Sequence, residues 1–366
     1  MLSIALALSA CTTLVPGNPE ALKPADEPVT VDTVTRGDRL AQLARQQHPR
    51  ILATYGGEFS DPKVELMVAR AVGRLTAVGG DPAQAYRITL LDSPNVNAFA
   101  LPGGYLYVTR GLLALASDSA ELAAVIAHEM GHVTANHGLQ RQRAEADEVL
   151  AAKVASELFR DNVDAKAAIA RGKMRLAQFS RNQELEADAI GIKTTGLAGY
   201  DPFAAARFLK SMDSYAGLRS VSGAEDASLD FLASHPNTPQ RVALAERHAR
   251  GFGPSGQTGT LDRDAYLAGI DGLSFGDRPE EGYVRGRSFL HPGLGIGFTV
   301  PAGFVIDNSA AAVTAAGPGN VAIRFDGVEI SSAKALDDYV RSGWVTGLDP
   351  ASVRTTTVNG LDAVRA

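Results

Sequence analysis

Two histidines and a glutamate stand close together in the stretch AVIAHEMGHVTANHG, residues 124–138. His128 and His132 are four positions apart, so on a helix their side chains lie on one face, one turn apart. Glu129 lies one step round that helix, where it reaches a water molecule held between the imidazoles. This spacing is the His-Glu-x-x-His pattern of a hydrolytic zinc site, in which the glutamate is the general base.

A catalytic zinc site needs three protein ligands and an open position for water, so a third ligand must lie elsewhere. The candidates are Glu184 and Asp188, four positions apart in RNQELEADAIG. On a predicted helix, one carboxylate would bind the metal and the other would support the first histidine, while Glu186 would point elsewhere. Taken by itself, this segment is more typical of a solvated acidic helix face than of a metal site.

The elements that must position these residues are mostly helices. Apolar residues recur at helical spacing from Gly37 onward, whereas RITLL and YLYVT are β-branched and aromatic runs that flank a Pro-Gly-Gly turn. We expect a small sheet of two or three strands there. Asp118 or Ser119 is expected to cap the helix that carries the histidines. From residue 283 the pattern changes to strands with one helical stretch.

These changes in pattern predict five segments. They are an N-terminal signal peptide (1–11), a flexible Pro-rich tether (12–36), a mainly helical domain that carries the His-Glu-x-x-His motif (37–250), a linker (251–282) and a small β-rich α+β accessory module (283–366). The predicted fold class is therefore α+β. Because the last residues contain an Asn-Gly turn close to the end of the chain, the module is expected to be incomplete.

The N-terminus predicts export and lipidation. The apolar run from Leu2 to Leu8 is too short to span a bilayer, and LSAC resembles the lipobox of bacterial lipoproteins, which implies a diacylglyceryl anchor on Cys11. Thr12 follows the cysteine, which in that class favours the outer membrane. No Lys or Arg precedes the run, so the natural start is expected further upstream. The alternative is an ordinary apolar N-terminus with a chance cysteine.

Composition limits the partners. The formal net charge is −6 and the chain has one cysteine, so a broad nucleic-acid footprint is not expected. With the single thiol lipidated, neither disulfides nor thiol catalysis would be available. Beyond the N-terminus we find no apolar run long enough to cross a bilayer.

Three ordered motifs carry a family resemblance: NAFALPGGYLYVTRGLL, ELAAVIAHEMGHVTANHG and SRNQELEADAIGI. Together they resemble the zinc metallopeptidase family of HtpX and the CAAX-prenyl endopeptidases, and specifically its soluble periplasmic branch, over about residues 37–250. The resemblance implies a mainly helical zincin-type domain that binds one Zn²⁺ per chain. It implies His128, His132 and Glu184 as ligands, Glu129 as the general base, and Asp188 as the supporting carboxylate.

Three further polar residues have alternative roles. His235, in a Ser-His-Pro segment that also resembles the family, would donate to the oxyanion, bind the open zinc position and hold the enzyme latent, or merely cap the next helix. Arg241 would reach the site or form an ordinary surface ion pair. His137 is five positions past His132, so on a continuous helix it is turned away from the metal and is expected to be structural.

The remaining candidate is a substrate-binding strand. Asn97, Ala98 and Phe99 resemble the family's edge strand beside the cleft, to which an extended substrate would add through backbone hydrogen bonds. No chemistry can be assigned to the C-terminal module from its sequence.

The sequence therefore predicts a zinc endopeptidase, lipid-anchored in the periplasm at the outer membrane, that degrades unfolded or misassembled envelope proteins and works beside the envelope assembly machinery. The alternative is a chaperone-like or scaffold lipoprotein whose zinc site is latent. Zinc as a structural staple is a weaker reading, since such sites are closed by four Cys or His ligands.

Overall fold

The computed structural model describes most of the chain after residue 35. The described residues are 36–79, 85–101, 103–159, 163–221, 231–310, 312–327, 335–344 and 347–366. Cys11, the predicted signal peptide and almost all of the predicted tether lie outside them.

Helices dominate the first two thirds of the described residues, and strands dominate the rest. The helices are α1 (Arg36–Thr54), α2 (Pro62–Val78), α3 (Arg110–Leu115), α4 (Ser119–Thr134), α5 (His137–Phe159), α6 (Val163–Leu197), α7 (Ala204–Val221), α8 (Phe231–Ser234), α9 (Pro239–Arg250), α10 (Arg263–Ile270) and α11 (Leu336–Tyr339). The strands are β1 (Arg87–Leu91), β2 (Ala98–Leu101), β3 (Tyr105–Thr109), β4 (Tyr283–Arg285), β5 (Ser288–His291), β6 (Ile296–Thr299), β7 (Val305–Asn308), β8 (Val313–Gly317), β9 (Val321–Phe325), β10 (Arg354–Val358) and β11 (Leu361–Arg365). The predicted α+β class is confirmed.

The chain divides into two compact units, residues 1–322 and 323–366. The first unit holds α1 to α10 and β1 to β8, and the division falls within β9. In the second unit, β10 and β11 form an antiparallel hairpin whose two-residue loop, Asn359 and Gly360, has positive φ angles of 51° and 82°. These angles are the ones that a tight hairpin turn requires. No helix among the described residues has the length and apolar content to cross a membrane.

The small sheet of the first unit has the strand order β1-β3-β2. Central strand β3 is parallel to β1 and antiparallel to β2, and all five of its residues are buried. β1 and β3 are the two runs predicted from the sequence. β2 lies at the edge of the sheet.

The histidine-bearing helix α4 lies in the middle of the hydrophobic core. All its residues from Ser119 to Gly131 are buried, as expected for a helix that is surrounded by other elements. Its N-terminus is fixed by reciprocal capping: Asp118 accepts a hydrogen bond from the backbone N–H of Glu121 at 2.8 Å, and Glu121 accepts one from the N–H of Ser117 at 2.9 Å. Of the two caps predicted, Asp118 is the one observed.

Two glycines let α4 and α6 approach closely. A Cβ added at Gly191 of α6 would lie 2.9 Å from the backbone nitrogen of His128, and one added at Gly131 of α4 would lie 3.1 Å from the carbonyl oxygen of Ala187. Larger side chains at these positions would push the helices apart. The crossing brings the carboxylates of α6 against the histidines of α4.

Part of the segment predicted as a linker, residues 251–282, packs into the first unit. It contains α10, whose Tyr266 is fully buried and donates a hydrogen bond to the carbonyl oxygen of Leu113 at 2.6 Å. Arg110 is also buried and donates to the carbonyl oxygens of Ser274 and Gly276. These contacts attach the segment to the core that carries the histidines.

Candidate metal centre

Four side chains from three parts of the chain converge on one point. His128 and His132 come from α4, Glu184 comes from α6, and His235 follows α8. One ligand atom from each lies within 4.8 Å of the others, and this is the group of described residues that could hold a metal ion. The structure thus brings together the three ligands that the family resemblance implied, and adds His235.

The separations between these atoms fit a zinc ion. Nε2 of His128 lies 3.1 Å from Nε2 of His132 and 3.3 Å from Nδ1 of His235. The Glu184 carboxylate lies 3.0 Å from His235, 3.4 Å from His128 and 3.5 Å from His132. Four ligands held at zinc–ligand distances of about 2.0–2.1 Å in a tetrahedron are roughly 3.3 Å apart.

Two buried carboxylate oxygens at this point also call for a cation. Oε1 of Glu184 and Oε1 of Glu129 have no hydrogen-bond partner among the described residues, although both side chains are only 2% exposed. A buried carboxylate oxygen without a partner is unfavourable unless a positive charge or a donor compensates it. A divalent ion with a bound water supplies both, so the residues present fit zinc.

Asp188 and Arg241 fix the orientation of His128 from the side of its ring that faces away from the metal position. Oδ1 of Asp188 lies 3.0 Å from Nδ1 of His128, so the lone pair on Nε2 of that ring faces the metal position. Arg241 donates two hydrogen bonds to Asp188, at 2.7 and 2.8 Å, and its Nη1 lies 3.1 Å from Glu184. The expectation of a surface ion pair for Arg241 is wrong, because its side chain is buried.

The charges at the centre shift several pKa values. Burial opposes ionisation of Asp188, but Arg241 outweighs it and lowers the pKa of Asp188 to about 2. Burial also opposes protonation of His128, but hydrogen bonds to Asp188 and Glu184 raise its pKa to about 9. Without metal, His128 would therefore keep a second proton near neutral pH. Because a metal ion takes the place of that proton, binding should release it.

Burial shifts the base and the second histidine in the directions that catalysis and ligation require. Burial raises the pKa of Glu129, an effect that His235 partly offsets. Burial, followed by the charge of His128, lowers the pKa of His132 well below its usual value. His132 is therefore neutral at pH 7, as a metal ligand must be.

His137 contacts the metal ligand His132, although its spacing on a continuous helix predicted that it faces away from the metal. Its Nδ1 lies 2.9 Å from Nδ1 of His132, and its Nε2 lies 3.3 Å from the carboxylate of Glu186. Helix α4 ends at Thr134, and Asn136 has a left-handed φ of 57°, which turns the chain back toward His132. An Asn at a helix end is a signal for such a turn. The expectation that His137 faces away is therefore wrong, whereas Glu186 contacts His137 and is not one of the four converging ligands.

His235 is held in the centre by its neighbours. Its ring stacks on Phe231, with the ring centroids 4.4 Å apart, and the backbone N–H of Phe231 donates to the carbonyl oxygen of Val96 at 2.7 Å. Nε2 of His235 lies 3.5 Å from Oε1 of Glu129. The reading in which His235 caps the next helix is wrong, because Thr238 caps α9.

The predicted substrate strand lies at an edge of the sheet formed by the described residues. Ala98 and Phe99 belong to edge strand β2, and Asn97 immediately precedes it. Asn97 and Ala98 are buried, and the ring of Phe99 stacks on Tyr107 at 4.9 Å. Helix α4 packs against this strand, so the strand lies next to the element that carries the histidines.

This arrangement defines a zinc metallopeptidase type of centre, with His-Glu-x-x-His on one helix and a carboxylate ligand on a second. Residues 62–249 match the family model for peptidase family M48, and the chain belongs to that family. The predicted family resemblance is confirmed. The family depends on zinc, so the predicted cofactor is confirmed at the level of the family, and the chain provides one described group that could hold a single ion.

The chain is also similar to named peptidases over part of its length. It is 29% identical to the mitochondrial metalloendopeptidase OMA1 of Schizosaccharomyces pombe over 213 residues, which cover 56% of this chain and 59% of that protein. It is 25% identical to the beta-barrel assembly-enhancing protease of Escherichia coli over 219 residues, which cover 57% of this chain and 43% of that protein. The chain thus spans less than two thirds of either relative.

Proposed function

We propose that this chain is a zinc-dependent endopeptidase that hydrolyses peptide bonds of misfolded or misassembled cell-envelope proteins. The observation that carries the proposal is the position of Glu129, which is buried beside four converging ligand atoms and has an oxygen without a hydrogen-bond partner among the described residues. A site that only stapled the fold together would not need a carboxylate there.

The ligands His128, His132 and Glu184 would hold the zinc ion. Bound there, zinc supplies a Lewis acid that lowers the pKa of a coordinated water and polarises the scissile carbonyl. Glu129 takes the proton of the attacking water and delivers it to the leaving amine nitrogen. Because burial raises the pKa of Glu129, its carboxylate is a stronger base than an exposed one.

The other buried groups keep the ligands in position during this cycle. Asp188 fixes the ring of His128, and the Arg241 guanidinium stabilises Asp188 in its charged form. An extended substrate is proposed to pair with edge strand β2 through Asn97, Ala98 and Phe99, which would place its backbone alongside α4.

The proposed substrates and location are supported by the sequence and by the similarity to the relatives. Similarity to a beta-barrel assembly-enhancing protease supports envelope proteins as substrates and the envelope assembly machinery as a partner. The lipobox-like LSAC supports a lipid anchor on Cys11 and a periplasmic site at the outer membrane. If Cys11→Ala still partitions with membranes as the wild type does, the anchor is not at that cysteine.

The decisive experiment compares the purified full chain with Glu129→Gln. Zinc content and cleavage of casein are followed for both, with and without a chelator. We expect equal zinc in both proteins and chelator-sensitive cleavage by the wild type alone. Glu65→Gln, an exposed carboxylate on α2, is the matched control and should keep full activity. Cleavage by Glu129→Gln at the wild-type rate would refute the assigned base.

A second candidate function is a chaperone-like or scaffold lipoprotein with a latent zinc site. It is favoured by His235, which supplies a fourth ligand atom where a catalytic site keeps an open position. His235→Ala separates the two cases: if His235 blocks the site, the variant gains casein cleavage. If His235 instead donates to the oxyanion, the variant loses cleavage while keeping its zinc.

A further inference from the structure

A pocket lies directly beside the metal centre. Its volume is about 480 Å³, and it is bounded by α5, α6 and the segment that runs from α8 into α9. Glu184 and Arg241, which contact each other at 3.1 Å, form part of its wall. The volume is within the range of ligand-binding pockets, which is roughly 300–1,000 Å³.

The neighbours of the metal ligands also line this pocket. Leu185 follows Glu184, and Ser234 and Pro236 stand on either side of His235. Because the pocket shares Glu184 with the metal centre, it lies within reach of a peptide whose scissile carbonyl is at the metal position.

Two arginines give the pocket positive charge that no described residue neutralises. Nε of Arg141 is buried and has no hydrogen-bond partner among the described residues. Arg181 donates to the neutral amide of Gln178 at 2.7 Å, and neither arginine forms an ion pair within the described part of the chain. Arg241 differs, because Asp188 compensates its charge.

The charge of Glu184 does not cancel the two arginines, since its carboxylate contacts the three histidines of the metal centre and Arg241. The pocket thus combines a small apolar wall, which includes Leu185, with two available guanidinium groups. An arginine pairs with a carboxylate through two parallel hydrogen bonds, which is among the strongest polar contacts available to it.

We propose that this pocket binds a carboxylate of the substrate, so that the chain prefers peptides with a negative charge close to the scissile bond. The inference rests on the proposed peptidase function. The carboxylate could come from an Asp or Glu side chain or from a free C-terminus near the cleaved bond. Both sources present the same group to Arg141 and Arg181.

The test uses quenched-fluorescent peptides built around one cleavage site mapped in casein. In one set, Glu, Gln and Lys are placed in turn at each of the two residues that flank the scissile bond. In a second set, two short peptides differ only in their C-terminus, which is a free carboxylate in one and an amide in the other. We expect kcat/KM to be about tenfold higher for the peptide that carries the carboxylate than for the matching neutral peptide. This difference should appear either for Glu over Gln at one of the two flanking residues or for the free C-terminus over the amide. The position or terminus that gains identifies the source.

Variants connect that preference to the pocket. Arg141→Gln with Arg181→Gln should reduce the preference to within about twofold, and Arg141→Glu should favour the Lys peptide over the Glu peptide. Arg143→Gln is the matched control, because Arg143 is exposed on the same helix and does not line the pocket. A wild type without the preference, a double variant that keeps it, or an equal loss in the control would overturn the proposal.

Binding without turnover separates this proposal from the proposed function. The Glu129→Gln variant is titrated with the same peptides, and we expect the carboxylate peptide to bind about tenfold more tightly than its neutral partner. If the wild type cleaves neither casein nor any peptide but this difference is present, the peptidase assignment fails and the carboxylate pocket stands. If cleavage occurs but is indifferent to charge, the pocket proposal alone fails.

Discussion

Nδ1 of His137 lies 2.9 Å from Nδ1 of His132, and on its other side His137 contacts Glu186. Burial lowers the pKa of both imidazoles, so each ring carries one proton at neutral pH. Glu186 can only accept, so Nε2 of His137 donates to it and Nδ1 of His137 must accept from His132. The lone pair on Nε2 of His132 is thereby directed at the metal position.

Loss of His137 should weaken zinc binding without abolishing it. His137→Ala removes the acceptor that fixes the ring of His132, and loss of such an orienting partner lowers metal affinity about 10- to 100-fold. His137→Gln keeps an acceptor and should recover part of that loss. Zinc affinity is measured by competition with a chromophoric chelator, and His291→Ala on β5 is the control. Equal affinity in wild type and His137→Ala would show that His137 does not orient the ligand.

Gly191→Ala should damage both the fold and the metal centre. Its Cβ would meet the backbone of His128 on the neighbouring helix at 2.9 Å, and backbone cannot move aside as a flexible side chain can. Overpacking of this kind destabilises a protein by about 1–3 kcal/mol, and the shift would also move Glu184 and Asp188 away from the histidines. Urea unfolding and zinc affinity measure the two effects.

The control for this change is Gly73→Ala. Gly73 is exposed within α2, and an added Cβ there meets no atom within 4 Å. It should stabilise the protein by about 0.5–1 kcal/mol, because alanine is the better helix former. A Gly191→Ala protein as stable as Gly73→Ala would mean that α4 and α6 do not cross as closely as described.

The parts of the centre that could be predicted from sequence are those fixed by local geometry. His128 and His132, like Glu184 and Asp188, are one helical turn apart, and α-helical spacing alone places each pair on one face. His137 and Arg241 could not be placed in this way. A left-handed residue interrupts the helix before His137, and Arg241 reaches Asp188 from a position 53 residues further along the chain.

The parts of the fold that could be predicted from sequence are likewise those that local patterns determine. The strands RITLL and YLYVT and the cap at Asp118 were predicted from local patterns and appear in the structure. The packing of α10 was not predicted, because a polar, Gly-rich stretch on either side of it resembles a linker. Burial of Tyr266 depends on a partner surface that only the assembled core provides.

Tyr266 therefore offers a test of whether the segment 251–282 belongs to the peptidase domain. Tyr266→Ala removes a fully buried aromatic ring and should destabilise the protein by about 3–5 kcal/mol. Leu267→Ala, which changes a neighbour that is 42% exposed, should have an effect well below 1 kcal/mol. If thermal unfolding is the same for both variants, the segment is a spacer after all.

Glu281 should make stability depend on pH between about 4.5 and 7. Burial, assisted by the charge of Asp92, raises the pKa of Glu281 from 4.5 to about 7 in the folded protein. The folded state therefore binds this proton more tightly than the unfolded state does, and the resulting stabilisation is complete below pH 4.5. It is lost as the pH rises through about 7, because the folded protein must then hold a charge that the unfolded chain keeps in water.

Glu281→Gln removes the titrating group, so its free energy of unfolding should fall less than that of the wild type as the pH rises from 4.5 to 7. Glu280→Gln is the matched control, because Glu280 is adjacent and its side chain is 71% exposed. Urea unfolding at half-unit pH steps measures the difference. A wild-type profile that runs parallel to that of Glu281→Gln would show that the carboxyl group of Glu281 titrates in the folded protein as it does in water, and that its burial beside Asp92 has no energetic consequence.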